Sequence, residues 1–163
     1  MFNIGDRVVY PMHGAGVIES IEEREILGQK QKYYIMKMPV GDIQVMVPTN
    51  NAQEVGMREV IQCKDADRVL NVLSGERTEM NANWNKRYRE NMDKIKSGNI
   101  FEVAEVVKNL AYKNNEKGLS AGEKKLYNSA KQILISELVL ANQASKDEIE
   151  SLVEEKLSLH EAN

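Results

Sequence analysis

The prolines and glycines of this chain are confined in a way that divides it in two. All three prolines (Pro11, Pro39, Pro48) and six of the ten glycines lie within the first 56 residues. Proline removes a backbone donor and glycine readily takes positive φ, so a segment rich in both resists forming long helices. It suits short strands joined by tight turns. Turn signals stand at Pro11-Met12-His13-Gly14, Leu27-Gly28-Gln29 and Pro39-Val40-Gly41-Asp42. Between them, Arg7 to Tyr10, Ala15 to Leu27, Gln31 to Met38 and Ile43 to Val47 read as strands. Ile43, Val45 and Val47 alternate with Gln44 and Met46, which predicts one inward and one outward face. Gly28-Gln29 fits the loop of a tight hairpin. The segment is therefore expected to form a small, strongly bent sheet or barrel with exposed edges.

After Gln62 the period becomes helical. Val69, Leu70, Val72 and Leu73 predict a short helix that ends near Ser74-Gly75. The polar stretch Gly75 to Ala82 reads as a connection. Asn83 to Ser97 is the next helix, closed by Gly98. Asn99 with Glu102, Ser120 with Glu123 and Ser145 with Glu148 each place a capping oxygen three residues before a glutamate, marking three further helix starts. Gly118 ends the helix that begins at Asn99. Leu126, Ala130, Ile133, Leu134, Leu138 and Ala141 form one apolar stripe, and Leu152, Val153, Leu157 and Leu159 predict a final acidic helix. The fold class is α+β: a sheet domain over residues 1–62, then a compact all-helical domain over 63–163.

Several function classes find no support. The longest apolar run is a few residues, too short to span a membrane. Met1 to Asp6 lacks the pattern of a secretory signal. Cys63 is the single cysteine, so no disulfide forms within the chain and a reduced, cytoplasmic setting is the expectation. With His13 and His160 as the only histidines, no metal or other cofactor is expected. No glycine-rich phosphate loop is present. Gly14-Ala15-Gly16 leads into a strand-like run and makes a poor dinucleotide fingerprint. His13 has no obvious nucleophile nearby, and Asp65 and Asp67 oppose a thiolate at Cys63. The chain does not read as an enzyme.

Charge is more telling by segment than in total. The net charge of −3 divides into −2 over residues 1–62, −1 over 63–82, +5 over 83–131 and −5 over 132–163. The basic segment opens with Asn83-Trp84-Asn85-Lys86-Arg87-Tyr88-Arg89, which contains the only tryptophan. Two readings fit Trp84. Its spacing from Tyr88, Met92 and Ile95 places it on one helix face, as the first core residue. Its composition fits a ring that wedges at a base step while cations hold the flanking phosphates.

Val8-Val9-Tyr10-Pro11-Met12-His13-Gly14-Ala15-Gly16-Val17-Ile18 resembles the opening of the CarD/CdnL family of bacterial transcription regulators. Gly41-Asp42-Ile43-Gln44-Val45-Met46-Val47-Pro48 and Asn51-Ala52 resemble a later strand and turn of the same module. The N-terminal module of transcription-repair coupling factors is similar. The second half adds Asn83-Trp84-Asn85-Lys86-Arg87-Tyr88, Gly118-Leu119-Ser120-Ala121-Gly122-Glu123-Lys124 and Ala130-Lys131-Gln132-Ile133-Leu134. The likeness covers nearly the whole chain.

This resemblance implies a two-part adaptor without catalysis. A Tudor-like module would dock on the β-subunit lobe of RNA polymerase, through Arg24 and the strand Ile43, Gln44, Val45, Met46 and Val47. The helical domain would then meet upstream promoter DNA without reading its sequence. Trp84 would stabilise the open complex at the edge of the melted region, with Lys86, Arg87 and Arg89 on the backbone. Met46 and Lys86 stand where the resemblance implies arginine in some relatives, replacing an ionic contact and a bidentate one respectively. Homodimers through strand exchange or edge pairing are a further expectation, with Met36, Met38 or Met46 facing outward. The competing reading is a general protein-interaction adaptor whose helices serve only as a scaffold.

Overall fold

The structure, a computed structural model, describes residues 1–158. The chain lays down strands β1 (Arg7–Tyr10), β2 (Gly14–Ile26), β3 (Gln29–Lys37), β4 (Gln44–Pro48) and β5 (Arg58–Glu59). Helices α1 (Cys63–Ser74), α2 (Trp84–Lys96), α3 (Ile100–Glu116), α4 (Ala121–Asn142) and α5 (Lys146–Ser158) come next. The protein is α+β, as its residue distribution predicts. Leu159 and His160 lie outside the described residues.

The strands form one antiparallel sheet in the order β4-β3-β2-β1-β5. Its end strands do not pair, so the sheet is open and the barrel alternative is not realised. A register shift between Ile18 and Ser20 bends β2, as an extra residue in a ladder does. Beyond the bend, β2 and β3 run on as an arm whose outer half has no third strand among the described residues. The arm turns at Leu27 and Gly28, with φ of 53° and 79°. Positive φ at both positions is what a type I′ turn requires. The hairpin loop thus sits one residue earlier than Gly28-Gln29, because Gln29 already pairs with Ile26.

Val8, Ile18, Tyr34, Met36, Met38 and Val47 form the core of the sheet. Met36 and Met38 therefore point inward, contrary to expectation. Tyr34 and Met36 share the inner face by the two-residue period of a strand, and Met38 covers Gly16. Ile43 also departs from its predicted place. It precedes β4 at the end of the Gly41-Asp42 turn and is 56% exposed, so Val45 and Val47 alone carry the inward face.

The helices close around a second core, to which α1 contributes Ala66, Val69 and Leu73, and α5 contributes Ile149, Val153 and Leu157. Asn83, Asn99, Ser120 and Ser145 accept backbone N–H groups at four helix starts. Each such cap contributes about 1 kcal/mol.

Sheet and helices meet along a polar seam centred on α4. Gly14 has φ of +108°, and a Cβ there would stand 2.7 Å from Ser136 Oγ. Only glycine allows this approach, through both its conformation and its size. Next to it, the Ala15 N–H donates to Ser136 Oγ at 2.9 Å. Arg7 donates to the Leu140 carbonyl at 2.7 Å. Arg58 donates through Nη1 and Nη2 to the two carboxylate oxygens of Glu137, each at 2.7 Å, and through Nε to the Gly98 carbonyl at 2.8 Å. The Ile61 N–H also donates to Glu137, at 2.9 Å. The buried carboxylate is thereby satisfied by a charge and three hydrogen bonds, which a group removed from water requires.

Candidate nucleic-acid interface

Trp84 occupies the first turn of α2, immediately after the Asn83 cap. Its ring is held on several sides. One face stacks on Tyr88 with centroids 5.2 Å apart and planes 16° from parallel. The indole N–H donates to Ser120 Oγ at 3.1 Å. The ring also lies over the first turn of α4, where a Cβ on Gly122 would come within 3.3 Å of it. Even so, Trp84 remains 41% exposed. A large amphipathic ring with its N–H satisfied and its orientation fixed presents apolar area at low entropic cost.

The inward stripe of α2 is Arg87, Asn91 and Ile95. Trp84, Tyr88 and Met92 run along the shoulder of that stripe, less buried than Ile95. Arg87 therefore departs from its expected place on DNA. It is 8% exposed, and its Nε and Nη2 donate to the two oxygens of Glu123 at 3.0 and 3.1 Å. Nη1 donates to the carbonyls of Asn81 and Ala82 at 3.1 and 3.2 Å. The cause lies in α4, where Glu123 is 1% exposed and needs a buried cation. Lys113 is a second cation, 3.2 Å from the same carboxylate. Burial disfavours charge on Glu123, but the hydrogen bonds from Arg87 and Lys113 outweigh it and hold the carboxyl below the usual carboxylate range.

Lys86 and Arg89 project into solvent three residues apart on α2, with no ion-pair partner among the described residues. Lys124 and Lys125 are likewise exposed and unpaired, just beyond Gly122 in α4. The two helices that hold the ring thus also carry exposed cations without an ion pair among the described residues. The sequence reading missed the contribution of α4. The signal was present in Ser120-Ala121-Gly122-Glu123-Lys124-Lys125, but that stretch reads locally as a capping box. Its serine does cap Glu123 N–H, while its glutamate is turned to Arg87.

The remaining predicted residues belong to a separate surface on the sheet. Ser20 and Arg24 both donate to Glu22, at 3.0 and 3.2 Å, along one exposed face of β2. β4 is an end strand, so its outer edge has no strand partner among the described residues. Gln44 and Met46 are exposed beside it and Val45 is half-buried. Val47 is fully buried, which leaves only its backbone for an incoming strand. No helix among the described residues is long and apolar enough to cross a membrane.

The chain is similar to known proteins over both halves. Residues 2–61 match the family profile "CarD-like/TRCF RID domain". Residues 68–154 match "CarD, C-terminal domain". A relative from Bacillus subtilis (strain 168), described as "Putative transcription factor YdeB", is 41% identical over 151 residues, covering 93% of this chain and 99% of that protein. With sheet and helices both matched in their order along the chain, the protein belongs to the CarD family of transcription regulators.

Proposed function

We propose that this regulator docks on the β-subunit lobe of RNA polymerase through the edge of β4 and stabilises the open promoter complex with Trp84. The exposed, rigidly seated Trp84 ring is the observation that carries the reading. A ring at the upstream edge of the melted DNA opposes reannealing. If it favours the open complex by about 1.4 kcal/mol, the equilibrium shifts about tenfold. Lys86, Arg89, Lys124 and Lys125 supply phosphate contacts that carry no sequence information. Arg87 acts indirectly, by holding α2 against α4.

Such contacts alone give weak, salt-sensitive binding, with dissociation constants of about 10⁻⁴ to 10⁻⁶ M. Attachment to polymerase raises the local concentration to about millimolar, which is sufficient. The β4 edge suits that attachment, because strand addition draws affinity from backbone groups and tolerates Met46 in place of a charge. Arg24 adds an exposed cation on the same sheet.

The test is the lifetime of the open complex formed by purified polymerase on promoter DNA. Trp84→Ala should shorten it about tenfold while polymerase binding stays unchanged. An unaltered lifetime refutes the wedge. A footprint indifferent to Lys86→Glu with Arg89→Glu would favour a protein adaptor without DNA contact.

A further inference from the structure

We infer that Glu137 is a positioning residue, which locks the sheet to the helical half so that docking at β4 aims Trp84. This inference rests on the function proposed above. Glu137 touches neither the β4 edge nor the Trp84 seat. It lies 1% exposed on α4, where Arg58 and the Ile61 N–H converge on it from the sheet side. The flanking residues of α4 add further ties. Ser136 accepts from Ala15, and the Leu140 carbonyl accepts from Arg7.

The same helix carries the Trp84 seat at its other end. Ser120 caps α4 and holds the indole N–H, Gly122 lies under the ring, and Glu123 grips Arg87. One continuous helix, Ala121–Asn142, therefore joins the seam to the wedge. At 1.5 Å per residue, Gly122 and Glu137 stand about 22 Å apart along it. Rocking at the seam by about 10° would move the far end by about 4 Å, slightly more than the 3.4 Å rise of one base step. A wedge aimed at one step needs a stiffer joint than that. A bidentate arginine–carboxylate pair supplies it, because two parallel hydrogen bonds fix direction as well as distance.

The test compares Glu137→Ala, Arg58→Lys and Trp84→Ala in the full chain. Three quantities are measured: polymerase affinity, open-complex lifetime, and the distance distribution between spin labels on the two halves. Labels at Lys30→Cys and Glu90→Cys, both exposed sites, in a Cys63→Ser background serve the last purpose. Glu137→Ala should leave polymerase affinity within about twofold, broaden the distance distribution and shorten the lifetime at least threefold. Arg58→Lys keeps the charge but loses the fork, so it should fall between wild type and Glu137→Ala. It also carries the comparison if Glu137→Ala does not fold.

An unbroadened distribution in both seam variants overturns the lock. A broadened distribution with an unchanged lifetime overturns the aiming role while leaving the wedge intact. If Trp84→Ala itself leaves the lifetime unchanged, the wedge reading fails, and the label distances alone decide whether Glu137 joins the halves.

Discussion

Glu123 and Glu137 stand toward opposite ends of α4, and each takes an arginine through two hydrogen bonds. They differ in where their partners come from. Glu123 draws Arg87 from α2 and Lys113 from α3, all within the helical half. Glu137 draws Arg58 from β5 and the Ile61 N–H just beyond that strand, across the seam. The Arg87 side chain is 9% exposed and that of Arg58 is 31%. A buried charge placed within one core fixes the local shape of that core. The same device placed between two cores fixes how one lies on the other. The drier pair is also more sensitive to loss of a partner, because an abandoned arginine there cannot reach water.

The largest expected effect comes from that contrast. Glu123→Ala strands Arg87 and Lys113 and should cost about 3–5 kcal/mol in urea unfolding. Glu137→Ala leaves a partly hydrated Arg58 and should cost less, about 1–3 kcal/mol. Equal costs would break the comparison.

Acid sharpens it further. The folded-state pKa of Glu123 lies below its unfolded value, so the unfolded chain binds more protons between the two. The stabilisation from Glu123 is complete above the ordinary carboxylate pKa of about 4.3 and is lost as pH falls through the folded value. Urea unfolding at descending pH should show wild type losing stability more steeply than Glu123→Gln below about pH 4. Parallel pH profiles would mean that Glu123 titrates alike in both states.

The smallest effect tests the seat itself. Ser120→Ala should cost about 1 kcal/mol as a lost cap and free the Trp84 indole N–H. Because Trp84 is the only tryptophan, its fluorescence anisotropy reads the seat directly. Anisotropy should fall in Ser120→Ala and hold in Ser145→Ala, which loses a cap of the same kind far along the chain.

Elements were legible where a local period or punctuation sets them, and less so where a distant residue decides. Glycine and proline marked the strand-rich segment, and the capping serines marked α4 and α5. The spacing of Trp84, Tyr88, Met92 and Ile95 found α2 but not its rotation. A buried Glu123, 36 residues from Arg87, turns that arginine inward. Gly14-Ala15-Gly16 is excluded as a nucleotide loop by the strand-like run after it, but its role at the seam depends on Ser136, 121 residues beyond Ala15. Ile43 read as inward from alternation, until the Gly41-Asp42 turn took it out of the strand. Exposed Trp84 was half legible: its composition marked it, while its seat on Ser120 and Gly122 needed the fold.

The length of the seam contacts has a consequence for how the protein is made. Arg7 must wait for Leu140, 133 residues later, and Ala15 for Ser136, 121 residues later. At a synthesis rate of about 5–20 residues per second, Ala15 precedes its partner by about 6–24 s. In the later part of that interval, once Pro48 has been made, a nascent chain can carry a finished β4 edge and no aimed tryptophan. On the docking proposed above, a product released early would occupy polymerase without holding promoters open. Such a fragment would poison the site rather than merely fail to fill it, which gives the cell a reason to destroy incomplete copies promptly.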